Sequence, residues 1–189
     1  MKNKAMSVSY TGNRRSGPLS AIRVKPAAGN PRRGWLTAGS LIIPVALGRG
    51  GILANKREGD GGTPRGIFRP RQLWWRGDRH SRPKTFLPAR IITAADAWCE
   101  DPRDRRYNRP ITLANDASGD RLWRDDHLYD LIVEIDHNTR PRIAKRGSAV
   151  FIHLAREGLQ PTAGCIAMPL VDLKRLVARL GRDSVIRIL

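Results

Sequence analysis

Apolar and polar residues alternate over Tyr129–Asp136. Tyr129, Leu131, Val133 and Ile135 fall on one face, and Asp130, Glu134 and Asp136 mostly on the other. That period of two predicts a half-buried strand. Ala149–Leu154 is almost continuously apolar, as a strand covered on both faces is. Leu173, Leu176, Val177 and Leu180 recur at i, i+3, i+4, i+7, with Pro169 ahead and Gly181 behind, which predicts an amphipathic helix over Leu170–Leu180. Ser184–Leu189 reads as a closing strand. Strand-like patterning begins at Ala21, and Gly34–Leu47 reads as two short strands around an Ala38-Gly39-Ser40 turn. Lys56–Gly66, Gly77–Pro88 and Glu100–Pro110 are polar and broken by Gly or Pro, so they are expected to be loops. The fold class that follows is mainly β with short helices (α+β). Residues 21–189 form one domain, and residues 1–20 precede it as a basic flexible arm without periodicity.

Charge sharpens this picture. The 189 residues carry 35 Lys and Arg against 17 Asp and Glu, a net charge of +18, and residues 1–57 hold eleven of the cations and no acid. An acidic partner or an anionic wall or membrane surface is therefore expected. A nucleic-acid-binding module is the rival class, because five tryptophans lie among the arginines, where they would suit phosphate contacts and base stacking. None of the sequence signatures of such modules is present, so no nucleic acid is expected. The longest clean apolar run, Leu41–Leu47, contains Pro44 and is too short to span a bilayer. No recognisable signal peptide is expected at the N-terminus. Arg32-Arg33 before an apolar run faintly resembles a twin-arginine export signal, but the two-strand reading accounts for it equally well.

The chemistry concentrates near the C-terminus. His153 ends the apolar strand, and Cys165 follows twelve positions later behind Pro161-Thr162-Ala163-Gly164. An imidazole brought back by a loop can take the proton of a thiol and hold it as a thiolate-imidazolium pair. Gly164 lets backbone approach a substrate carbonyl, and the Gly164 and Cys165 amides can donate to a developing oxyanion. Spacing alone equally permits a buried structural cysteine and a core histidine. Cys99, with no histidine nearby in sequence, is read as structural. His80, His127 and His137 lack metal-ligand spacing, so no metal is expected. The Gly-rich Lys56–Gly66 stretch lacks the Lys-Ser/Thr that a phosphate-binding loop needs after its last glycine.

Gly147-Ser148-Ala149-Val150-Phe151-Ile152-His153 followed by Pro161-Thr162-Ala163-Gly164-Cys165-Ile166-Ala167-Met168 resembles the catalytic stretch of YkuD-type L,D-transpeptidases, a His, a gap, then Ser/Thr-x-Gly-Cys. Upstream, Gly48-Arg49-x-Gly51 and Thr63-Pro64-Arg65-Gly66-Ile67-Phe68 are similar to the family's Gly-Arg strand and Thr-Pro-x-Gly-x-Phe turn. The resemblance covers roughly residues 30–189. It implies a β-sandwich-like catalytic domain acting on peptidoglycan stem peptides through a cysteine thioester, with no metal or organic cofactor. Cys165 is then the nucleophile, His153 the base, Gly164 an oxyanion donor with Cys165, and Thr162 the Ser/Thr position. An envelope or periplasmic site of action follows from that substrate, and release of the acyl group to water is the alternative fate.

Three departures mark a divergent branch. Ala163 stands where many members have His, Ala167 stands where they have Arg, and the His153–Thr162 gap is short. The vacant cation role is assigned to Arg109, in Tyr107-Asn108-Arg109-Pro110, or to Lys56-Arg57, since guanidinium matches carboxylate geometry. Tyr107, Tyr129 and Asn138 are further candidates for substrate contact, or else packing and turn residues.

Overall fold

The computed structural model describes residues 17–113 and 119–189. Most of the expected basic arm lies outside the described residues. Leu19, read as part of that arm, is buried in the core, and its N–H donates to the Arg179 carbonyl.

The strands in chain order are β1 (Ala21–Ala27), β2 (Asn30–Ala38), β3 (Leu41–Ala46), β4 (Ile52–Leu53), β5 (Thr63–Pro64), β6 (Gly66–Phe68), β7 (Pro70–Trp75), β8 (Ala89–Ile91), β9 (Asp96–Trp98), β10 (Pro110–Thr112), β11 (Asp120–Arg121), β12 (Leu131–Ile135), β13 (Phe151–Leu154), β14 (Ile166–Met168) and β15 (Val185–Ile188). One α-helix, α1 (Leu170–Val177), precedes the last strand. Ten strands form one sheet in the order β6-β15-β1-β2-β3-β14-β13-β12-β7-β8. Strands β6 and β7 stand first and ninth in that order, yet only Arg69 separates them in the chain. A flat sheet would hold them roughly 40 Å apart at the usual strand spacing, far beyond the reach of one residue. The sheet must therefore curl until its ends meet, and its strands enclose one apolar core with α1.

Local sequence explains most elements. The β2–β3 hairpin closes through Gly39-Ser40, with Gly39 at φ +58°, a backbone angle open to glycine. On α1, Leu173, Leu176 and Val177 are fully buried, as is Leu180 just beyond it. Burial of each such side chain is worth about 1.5–3 kcal/mol. The helix ends at Val177, three residues before the expected end, because residues 178–180 turn so that the Leu180 carbonyl accepts from the Phe86 N–H.

Three expectations are corrected. The strand read over Tyr129–Asp136 spans Leu131–Ile135 and is buried on both faces. Leu131, Val133 and Ile135 enter the main core, whereas Ile132 joins a second cluster with Trp74, Trp98, Phe151 and Cys165. Glu134 is covered too, accepting from Trp74 Nε1 at 3.3 Å and pairing with Arg71 at 3.1 Å. The small sheet β10-β9-β11 supplies Trp98 to that second cluster. The Lys56–Gly66 loop also contains β5, which pairs in parallel with β4. The apolar run Ala149–Leu154 is a doubly covered strand only from Phe151 onward, because Ala149 turns through φ +50°.

Candidate active site

Parallel pairing of β13 with β14 sets the register Ile152↔Ile166, His153↔Ala167 and Leu154↔Met168. Side chains alternate along each strand. Ile152, Leu154, Ile166 and Met168 therefore enter the main core, leaving Phe151, His153, Cys165 and Ala167 on the opposite face. There Cys165 and His153 line one cavity of about 450 Å³.

The hydrogen bonds at the thiol are specific. Cys165 Sγ donates to the Ala149 carbonyl at 3.2 Å and accepts from the Phe151 N–H at 3.4 Å. His153 Nδ1 lies 2.8 Å from the Leu154 carbonyl oxygen. A carbonyl can only accept, so Nδ1 carries the proton and Nε2 is the basic nitrogen. The Tyr129 ring packs edge-on against the imidazole at 5.2 Å between centroids. Burial pushes the Cys165 thiol up to about 12, against the opposing Phe151 N–H. Burial likewise holds His153 down at about 4, against the Leu154 carbonyl. Both shifts favour the thiol and the neutral imidazole over the expected thiolate-imidazolium pair, because desolvation penalises both charges.

Gly164 has φ +144°, and a Cβ there would lie 2.8 Å from the Gly62 carbonyl oxygen. Both the angle and the clash require glycine. Its N–H donates to Thr162 Oγ1 at 3.1 Å, and the Thr162 hydroxyl donates to the Cys165 carbonyl at 2.7 Å. Thr162 therefore shapes the turn that presents the thiol. Of the two amides assigned to an oxyanion, the one at Gly164 already has an acceptor.

The other candidates separate. Lys56 and Tyr129 line the cavity. Lys56 Nζ donates to Asp60 Oδ1 at 2.5 Å and to the Arg57 carbonyl at 2.8 Å, whereas Tyr129 donates to Asp120 Oδ2 at 2.8 Å. Tyr107 is buried behind the cavity and donates to Glu58 Oε2, which also accepts from Ser148 Oγ at 2.8 Å. Arg57 is exposed and does not line the cavity. Asn138 holds its own loop, with Nδ2 donating to the Ile143 and Gly147 carbonyls. Arg109 lies in a different groove altogether. Its assignment to this cavity, like those of Arg57 and Asn138, fails because the intervening loops carry these residues elsewhere.

Several cavity residues escaped the sequence reading. Arg49, Arg124 and Arg156 bring positive charge, and Glu58, Glu100 and Asp120 bring negative charge. Arg124 is neutralised by Asp126 at 2.6 Å. Arg49, whose N–H donates to the Thr162 carbonyl at 2.9 Å, has no ion-pair partner among the described residues. Burial, helped by Asp120 and Glu58, raises Glu100 to about 7. Asn108 was missed entirely: its Oδ1 accepts from Trp98 Nε1 at 3.0 Å and from the Ala149 N–H at 3.2 Å. It thereby fixes the residue whose carbonyl holds the thiol. Arg49 alone carried a sequence signal, in its Gly-Arg-x-Gly setting.

A curled β domain with a thiol and an imidazole on one strand face of a charged cavity has the makings of a cysteine acyltransferase. The family model of the YkuD L,D-transpeptidase catalytic domain matches residues 28–188, and the chain belongs to that family. The family's activity is L,D-transpeptidation in peptidoglycan. No curated protein and no solved structure gives a significant match.

Proposed function

We propose that this domain, residues 21–189 with Leu19 packed beneath it, is a peptidoglycan L,D-transpeptidase that passes a stem-peptide acyl group through a Cys165 thioester to an amine. The observation that carries this reading is the shared face of Cys165 and His153, with Nδ1–H committed to the Leu154 carbonyl so that Nε2 is left as base. Sγ attacks the carbonyl carbon of the donor peptide bond while Nε2 takes the thiol proton. The tetrahedral oxyanion is met by the Cys165 N–H, joined by the Gly164 N–H when it leaves Thr162 Oγ1. Collapse breaks the C–N bond, and the imidazolium returns its proton to the departing amine. An acceptor amine then attacks the thioester, loses a proton to Nε2, and releases the thiol.

The lining supports two substrate ends. Arg49 and Arg156 suit stem-peptide carboxylates, taking the role first given to Arg109. Glu58, Glu100 and Asp120 suit the incoming amine. No helix among the described residues is long and apolar enough to cross a membrane, and the substrate places the activity at the cell wall.

Incubation with purified muropeptides, read by mass spectrometry, tests the reading. Crosslinked dimers that vanish in Cys165→Ala are expected, whereas trimmed monomers alone would make the protein a peptidase. Carbapenem treatment should add one adduct, lost in Cys165→Ala and kept in Cys99→Ala. An adduct surviving Cys165→Ala would overturn the assignment of the nucleophile.

A further inference from the structure

Away from the thiol cavity lies a second groove of about 800 Å³, and seven arginines line it. Two are neutralised: Arg71 by Glu134 at 3.1 Å and Arg90 by Asp96 at 2.5 Å. Arg69, Arg109, Arg140, Arg142 and Arg182 have no ion-pair partner among the described residues. The other carboxylate of the groove, Asp136, spends Oδ1 on the Arg69 backbone N–H at 2.7 Å. Arg142 Nε is buried without a hydrogen-bond partner. Desolvation, and then the neighbouring charges of Arg109 and Arg71, pull the Arg142 guanidinium below its ordinary range. Like charges crowded into a concavity repel one another and focus a positive potential, which an anionic ligand relieves.

We propose that this arginine groove is a binding site for a ligand carrying closely spaced phosphate groups, separate from the thiol cavity. Five guanidiniums without an ion-pair partner among the described residues, of which Arg69 donates to the Asp183 carbonyl at 3.5 Å, call for several negative charges within a short length, which adjacent phosphates provide, and the guanidinium fork matches phosphate oxygens two at a time. Phosphate rather than a nucleic acid base is the recognised group. Trp74 and Trp98 line the groove, but both are buried, with Arg90 over the Trp74 ring and Phe151 packed against Trp98. Neither ring offers a face for stacking. The role given to Arg109 from sequence therefore moves from stem-peptide carboxylates to this site, and the site stands whether or not Cys165 is the nucleophile.

Titration calorimetry of the full chain with inorganic tripolyphosphate, and sedimentation with phosphatidylglycerol vesicles, test the site. Arg109→Ala/Arg142→Ala is expected to weaken binding to at least one probe about tenfold or more. Arg109→Ala/Arg140→Ala, which changes two exposed side chains only, should do the same if the first pair melts early. The control Arg23→Ala/Lys25→Ala, which removes two exposed charges on β1, should change binding less than twofold. Groove-dependent binding of tripolyphosphate alone assigns the site to a soluble or chain-like phosphate. Groove-dependent vesicle binding assigns it to a lipid headgroup. Equal losses in the groove and control variants, no binding of either probe, or tighter binding of a single-stranded oligonucleotide than of both would overturn the proposal.

Discussion

The Cys165 thiol donates its hydrogen to the Ala149 carbonyl at 3.2 Å, so the S–H bond of the candidate nucleophile points at a backbone oxygen. Ala149 holds φ +50° and is tied through its N–H to Asn108 Oδ1 at 3.2 Å. That strained turn, an unusual conformation for alanine, aims the carbonyl at sulfur. Burial disfavours both the thiolate and the imidazolium.

The first prediction follows from that resting state. Alkylation of Cys165 by iodoacetamide in a Cys99→Ala background should rise about tenfold per pH unit from pH 6 to pH 9, as for a thiol titrating above that range. A fast plateau below neutral pH, abolished in His153→Ala, would instead show a preformed ion pair.

Arg49 and Arg109 should behave oppositely in muropeptide turnover. Arg49 lines the thiol cavity and is exposed, so Arg49→Ala should raise KM about three- to tenfold with kcat little changed, as loss of a solvent-screened charged contact does. Arg109→Ala should leave both constants within twofold. Steady-state kinetics on a defined stem peptide decides between them, and the reverse pattern would return Arg109 to the catalytic cleft.

Gly164→Ala should be damaging despite its small size. The new methyl group would meet the Gly62 carbonyl oxygen at 2.8 Å, at φ +144°, and backbone cannot swing aside as a side chain can. A stability loss of about 1–3 kcal/mol, measured by urea denaturation, should accompany a loss of transpeptidation. Wild-type stability with full activity would contradict the turn geometry.

Acid sensitivity should trace to His153. Its imidazole is held at about 4 in the folded protein and titrates near 6.5 when unfolded. Below about pH 6.5 the unfolded chain takes up a proton that the folded one refuses. Stability is therefore fully present above that pH and falls as pH drops toward 4, by on the order of 3 kcal/mol from this group. Urea denaturation at pH 7 and pH 4.5 should show a smaller loss in His153→Gln than in the wild type. Identical losses would mean that the histidine titrates normally in the fold.

Local pattern by itself determined the β character, the Gly39-Ser40 hairpin, and the start and apolar stripe of α1, whereas the common face of His153 and Cys165 came from the parallel pairing of β13 with β14. Each of the first three depends on residues close in sequence, through periodicity, glycine angles or strand alternation. The two-sided burial of β12 was not legible, because the cover over its polar face comes from β7 and the small sheet. The charge state of the thiol and imidazole was not legible either, since desolvation depends on everything packed around them. The same holds for the cations. The Gly-Arg-x-Gly setting marks Arg49 in the sequence but not its place, and only the curling of the sheet and the path of the loops sends Arg109 to a basic groove and Arg49 to the thiol cavity.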